Sequence, residues 1–125
     1  MTDSTTDRGA QATPKRRALI TCADRYMGRA IAEKFRKIGI EVVESVSPLT
    51  SAADVERVIF DAGRIDILVA NLAEPPMTGP VDAIDDADWH RLFARLVDPL
   101  MHLVRAVTPQ MLERKSGKII AVTSA

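Results

Sequence analysis

The sequence predicts an α/β fold, a doubly wound parallel sheet, and three observations carry that expectation. Four short runs, around Leu19, Val42, Leu68 and Ile120, are apolar at consecutive rather than alternate positions, the pattern of strands covered on both faces. A stretch of helical periodicity separates each run from the next. Turn residues fall at the joints: Gly39, Ser47-Pro48, Gly63 and Ser116-Gly117. Right-handed crossovers between such strands place helices on both faces of one sheet.

The elements follow in order. Residues 1–17 are polar and offer almost nothing to bury, so they read as a flexible tail, with order over 18–125. Lys15, Arg16 and Arg17 flank the first strand as solvated charges. Ala18-Leu19-Ile20-Thr21 is that strand. Met27, Ile31, Phe35 and Ile38 recur at helical spacing, and Gly39 stands at the helix C-terminal position. Glu41-Val42-Val43 is the second strand. Ser51, with Asp54 three residues on, opens a helix whose buried stripe is Val55, Val58 and Ile59, and Gly63 closes it. Ile65 to Ala70 is the third strand, and residues 71–84 are a loop with three prolines. Asp85 or Asp86 caps a long helix with a stripe running from Trp89 and Phe93 through Leu96, Leu103 and Val107 to Met111. Pro99 inside it removes a backbone donor and predicts a kink, and Pro109 a second distortion. Lys118 to Thr123 is the fourth strand, giving β-α-β-α-β-α-β.

The 125 residues carry 17 Lys plus Arg against 17 Asp plus Glu, so no net charge draws the chain to nucleic acid or an anionic membrane. Cys22 is the single cysteine and excludes an intrachain disulfide or a Cys-rich zinc site. His90 and His102 read as helix-surface residues, so no metal is expected. No apolar run approaches the ~18 residues of a membrane span. The N-terminal residues lack the apolar core of a secretory signal, and a cytoplasmic protein acting on a small molecule is the expectation. The fourth strand ends the sequence with no further layer to cover it, which reads as the middle of a domain and so as the N-terminal half of a longer chain.

Chemistry concentrates at the first strand–helix turn, Thr21 to Gly28. A dinucleotide needs glycines there, for the tight turn, for approach of the pyrophosphate, and for helix–sheet packing. Only the last is present, as Gly28; Cys22 and Tyr26 stand where the other two belong. Tyr26 reads as an aromatic on the sheet end, as a plug in a former cofactor site, or as a pocket wall. An acid at the tip of the second strand would bind ribose hydroxyls; Glu44 lies within that run and reads first as a solvated charge. Asn71 satisfies backbone groups at the third strand's end or borders a pocket. Pro75, Pro76 and Pro80 stiffen a loop at the carboxyl end of the sheet, where ligands bind in such folds.

Residues 18–125 resemble the N-terminal half of the short-chain dehydrogenase/reductase superfamily, with its Rossmann-like fold. Its Thr-Gly-x-x-x-Gly-x-Gly motif falls on Thr21 to Gly28, its Asn-Asn-Ala-Gly motif on Ala70 to Ala73, and its strand ending in the active-site serine on Ile119 to Ser124. The helical Asn of the superfamily's tetrad falls on Leu96. The interval before Ile65 holds one helix, with little room for the extra strand of nucleotide-binding members.

Within that superfamily the pattern is similar to the halohydrin dehalogenases, through residues 21–28, 68–73, Asp98-Pro99-Leu100 and Arg105-Ala106-Val107. That resemblance implies conversion of vicinal halohydrins to epoxides plus halide without an organic cofactor. It implies Ser124 as the catalytic residue that hydrogen-bonds the substrate hydroxyl, with the family's Tyr and Arg beyond Ala125. It implies a substrate and halide pocket at Tyr26, Asn71, Ala73 and Pro75, and a homotetrameric full-length form. As a fragment without that Tyr and Arg, the chain is expected to be inactive by itself. The alternatives are a fragment of an NAD- or NADP-dependent oxidoreductase and a noncatalytic remnant serving as a structural or interaction domain.

Overall fold

The computed structural model describes residues 14–123. Most of the expected tail and Ser124 lie outside them. The elements are β1 (Arg17–Ile20), α1 (Gly28–Lys37), β2 (Glu41–Glu44), α2 (Ala52–Ala62), β3 (Ile67–Ala70), α3 (Asp86–Leu92), α4 (Asp98–Arg114) and β4 (Lys118–Ala121). The sheet order is β2-β1-β3-β4 and every pair is parallel. From β1 the chain steps outward to β2, then returns to the other side of β1 for β3. The winding therefore reverses between β1 and β3, and a crevice opens at the carboxyl ends of those two strands.

Two apolar clusters hold the layers. On one face Leu19 and Leu68 of the sheet meet Val55, Val58 and Ile59 of α2 and Leu103 and Val107 of α4. On the other, Ala18, Ile20, Ile67 and Val69 meet Ala32 of α1, with Ile31 and Phe35 partly buried against them. The expected stripe on α1 is thus displaced: Met27 and Ile38 are exposed, and Gly28, Ile31, Ala32 and Phe35 form the inner face. Coverage on both faces holds for β1 and β3 alone. β2 is a half-buried edge among the described residues, and β4 is exposed along its length.

The caps form as expected. Ser51 Oγ accepts from the Asp54 amide at 3.1 Å and Asp85 Oδ1 from the Asp88 amide at 2.8 Å, while Gly39 and Gly63 adopt φ of +85° and +73°. β1 begins at Arg17, not Ala18, because the Arg17 amide donates to Asp66 Oδ2 at 2.8 Å and Arg17 pairs with Glu41 in register. Ile65 and Asp66 lead into β3 rather than belonging to it, with the Ile65 amide bound by Gln110 Oε1 at 2.9 Å.

The long helix is two helices joined by a π-helical turn, Phe93–Val97. Pro99 has no amide to offer the carbonyl of Arg95 and its ring crowds that carbonyl, so the backbone widens just before it. Pro99 itself is buried at the start of α4, and Pro109 sits within α4 without ending it. The expected stripe, read as core or subunit interface, is accordingly split: Leu103, Val107 and Met111 are buried, whereas Trp89 and Phe93 are exposed and meet as a tilted pair, ring centroids 5.0 Å apart and planes at 43°. No helix among the described residues is long and apolar enough to cross a membrane.

Candidate functional site

The turn between β1 and α1 forms one wall of the crevice. The Ala23 amide donates to Ser45 O at 3.0 Å and the Thr21 hydroxyl to Asn71 O at 2.9 Å, tying the turn to the ends of β2 and β3. Cys22 and Tyr26 adopt φ of +45° and +48°. These are the two positions where glycines were expected, and the backbone keeps the left-handed conformation although L side chains disfavour it. At Gly28 a Cβ would lie 2.5 Å from Ala23 O, so helix α1 approaches its own turn more closely than any other residue allows.

Asn71 is the floor of the crevice. It is 1% exposed, and its Nδ2 donates to both Cys22 O and Arg25 O at 3.0 Å. Both amide hydrogens are spent on carbonyls, so the amide cannot turn over without setting oxygen against oxygen. Its Oδ1 has no hydrogen-bond partner among the described residues. Asn71 thus satisfies backbone carbonyls at the strand end and also lines a cavity.

Two cavities flank this turn. The larger, about 490 Å³, is lined by Tyr26, Asn71, Leu96, Leu100 and the residues just after β4, Val122 and Thr123. The smaller, about 190 Å³, is lined by Cys22, Arg25, Ser47, Thr50 and Ala73 beside the end of β2. Leu72 lines both. The expected pocket of Tyr26, Asn71, Ala73 and Pro75 is therefore not one surface. Tyr26 and Asn71 share the larger cavity, Ala73 faces the smaller, and Pro75 lines neither, its place being taken by Pro76. The reason is that the chain crosses between the cavities at Leu72, so successive loop residues address different sides.

Of the three readings of Tyr26, packing on the sheet end fails: the residue is 66% exposed, lines the larger cavity and donates its hydroxyl to Glu74 O at 3.0 Å. Glu44 is the last residue of β2, not an interior one, and its Oε2 accepts from Arg36 of α1 at 2.9 Å. Sequence reasoning missed Glu74, whose carboxylate is largely buried, ion-pairs with Arg91 and lies 4.0 Å from Arg95 Nε. The spacing of Arg91 and Arg95 places both on one helix face, but nothing in the sequence joins that face to a residue in the preceding loop.

Burial pushes the Cys22 thiol up, and the Ala73 amide offsets part of that rise. A raised thiol stays protonated at neutral pH. The stability it contributes is full below the unfolded thiol's pKa and is lost as pH rises through the folded value. Iodoacetamide at pH 8 is expected to label Cys22 more slowly in the folded chain than in urea, because the thiolate is the nucleophile. Equal labelling rates would contradict the burial.

The family described as short chain dehydrogenase matches residues 47–125. Dehydrogenase/reductase SDR family member 4 of Bos taurus is 31% identical over 90 residues, covering 69% of this chain and 32% of that protein. The chain thus spans about a third of the length of that curated relative. A short-chain dehydrogenase from Streptomyces avermitilis superposes with a TM-score of 0.79 at 26% identity, covering 88% of this chain and 49% of that one. A structure described as a dehalogenation enzyme superposes with a TM-score of 0.76 at 25% identity, covering 89% of this chain and 55% of the other.

Proposed function

Since the chain belongs to the short chain dehydrogenase family, we propose that it forms the nucleotide-side part of an oxidoreductase using NAD or NADP on a small carbonyl or hydroxyl compound. The observation that carries this reading is the backbone of the turn. Cys22 and Tyr26 hold the left-handed conformations of a nucleotide turn without its glycines, and Gly28 keeps its close approach to Ala23. The dehydrogenase relatives support the same class.

The residues present fit a dinucleotide with one obstruction. The amides at the start of α1 would face the pyrophosphate. Ser47 and Thr50 in the smaller cavity would take ribose hydroxyls, and the larger cavity would take the nicotinamide end. Bound there, the nicotinamide would supply the hydride. Tyr26 lines the larger cavity, where it would crowd the dinucleotide, but its ring is exposed and held by one hydrogen bond, worth about 1 kcal/mol. A micromolar ligand brings about 8 kcal/mol, so moving that ring weakens binding by a small factor rather than abolishing it.

The same obstruction supports a second reading, a nucleotide-independent halohydrin dehalogenase with Ser124 binding the substrate hydroxyl. Cys22 and Tyr26 in place of glycine, the single helix between β2 and β3, and the likeness to a dehalogenation enzyme favour it. There the substrate alkoxide would displace halide from the adjacent carbon, closing an epoxide. In either reading, the exposed stripe Trp89, Phe93, Val97 and Met101 is where we place a second copy of the chain.

Titration with NADH and NADPH, followed by energy transfer from Trp89, separates the two. Saturable binding supports the oxidoreductase. No binding by the chain, together with nucleotide-free halide release by a form extended beyond Ala125, would replace it with the dehalogenase.

A further inference from the structure

We propose that Tyr26 and Glu74 form a strap across the larger cavity, closing it from the crevice. The consequence for nucleotide entry rests on the oxidoreductase reading; the strap itself does not. Tyr26 and Glu74 both line the larger cavity and come from opposite walls, the β1–α1 turn and the loop after β3. Their bond, from the Tyr26 hydroxyl to Glu74 O at 3.0 Å, spans 48 positions of sequence.

The two ends of the strap are unequal. At the Glu74 end the carboxylate is 11% exposed and ion-paired with Arg91, with Arg95 alongside, so the acceptor is anchored to α3 and the π-helical turn. At the Tyr26 end the ring is exposed and one neutral hydrogen bond holds it. The backbone beneath does not move freely, because Asn71 grips the carbonyls of Cys22 and Arg25. A tyrosine held at φ of +48° stores backbone strain, and such strain persists where the surroundings fix it. The weak link is therefore the hydroxyl bond, and the strap opens by release of the Tyr26 side chain.

The test is backbone nitrogen-15 relaxation of the whole chain, without ligand, in the parent, in Tyr26→Phe and in Arg91→Gln. Tyr26→Phe removes one oxygen at an exposed site and leaves the ring. The order parameters of Glu74, Met77 and Thr78 are expected to fall towards the flexible range, below about 0.6, while those of β3 and α2 are unchanged. Arg91→Gln, which loosens the anchor, is expected to lower the same values. Unchanged loop order parameters in both variants would overturn the strap, as would a fall spread evenly over the sheet. Stopped-flow mixing with NADPH adds the second arm. Faster association with Tyr26→Phe supports the barrier, and equal association despite the loosened loop overturns it. If neither chain binds NADPH, the oxidoreductase reading fails while the relaxation result still decides the strap.

Discussion

Gly28→Ala is expected to destabilise the chain by about 3 kcal/mol, because the new methyl would meet a backbone carbonyl that cannot step aside. The added Cβ would lie 2.5 Å from Ala23 O and 2.7 Å from Ala23 C. Ala23 is buried, and its amide is committed to Ser45 O, so relief means parting α1 from the turn or the turn from β2. The melting temperature should fall on the order of 10–20 °C for a domain of this size. Gly39→Ala is the control. Its methyl would meet nothing within 4 Å, so the expected loss is only that of a Cβ at φ of +85°, about 1 kcal/mol. Equal melting temperatures for Gly28→Ala and the parent would mean that α1 does not press on the turn.

Asn71→Asp is expected to cost about 3–5 kcal/mol at pH 7, the range for an unpaired charge left in the interior. The substitution replaces the Nδ2 that serves Cys22 O and Arg25 O by an oxygen facing both carbonyls, at a position 1% exposed. Burial and the facing carbonyls would raise the pKa of the new carboxyl in the folded state. A raised acid pKa gives stability that is fully present below the unfolded value, about 3.9, and is lost as pH rises through the folded one. The deficit against the parent should therefore shrink between pH 7 and pH 4.5, as the protonated carboxyl donates to one carbonyl again. Urea unfolding at the two pH values reads this directly, and Asn71→Ala should show no such recovery. A deficit independent of pH would contradict the proposed contacts.

The parts of the fold that were legible in the sequence are those set by local chemistry. Ser51 and Asp85 cap because a short polar side chain reaches the amide three residues on, and Gly39 and Gly63 end helices because φ is positive there. The role of Asn71 was legible because a strand end buried at a crevice must satisfy its neighbours' carbonyls. What was not legible depends on which layers meet. Trp89 and Phe93 belong to an apolar periodicity but face outward, since the π-helical turn before Pro99 rotates α3 relative to α4. Ile119 and Ile120 look like core and are exposed, because no helix among the described residues covers β4. Glu44 pairs with Arg36 across a strand–helix contact, and Glu74 with Arg91 across a loop, at separations without a periodic signature. The positive φ at Cys22 and Tyr26 was hidden for a different reason: a glycine announces that conformation, whereas a cysteine and a tyrosine conceal it.

The most direct test of the nucleotide crevice is the calorimetric affinity for NADPH and NADH of Cys22→Gly/Tyr26→Gly against the parent. Both substitutions suit a backbone already at φ of +45° and +48°, and they remove one side chain from the lining of each cavity. The oxidoreductase reading expects the variant to bind at least one nucleotide about fivefold more tightly than the parent, the equivalent of the roughly 1 kcal/mol that moving the Tyr26 ring costs. A folded variant that gives no binding heat with either nucleotide at millimolar concentration would contradict it.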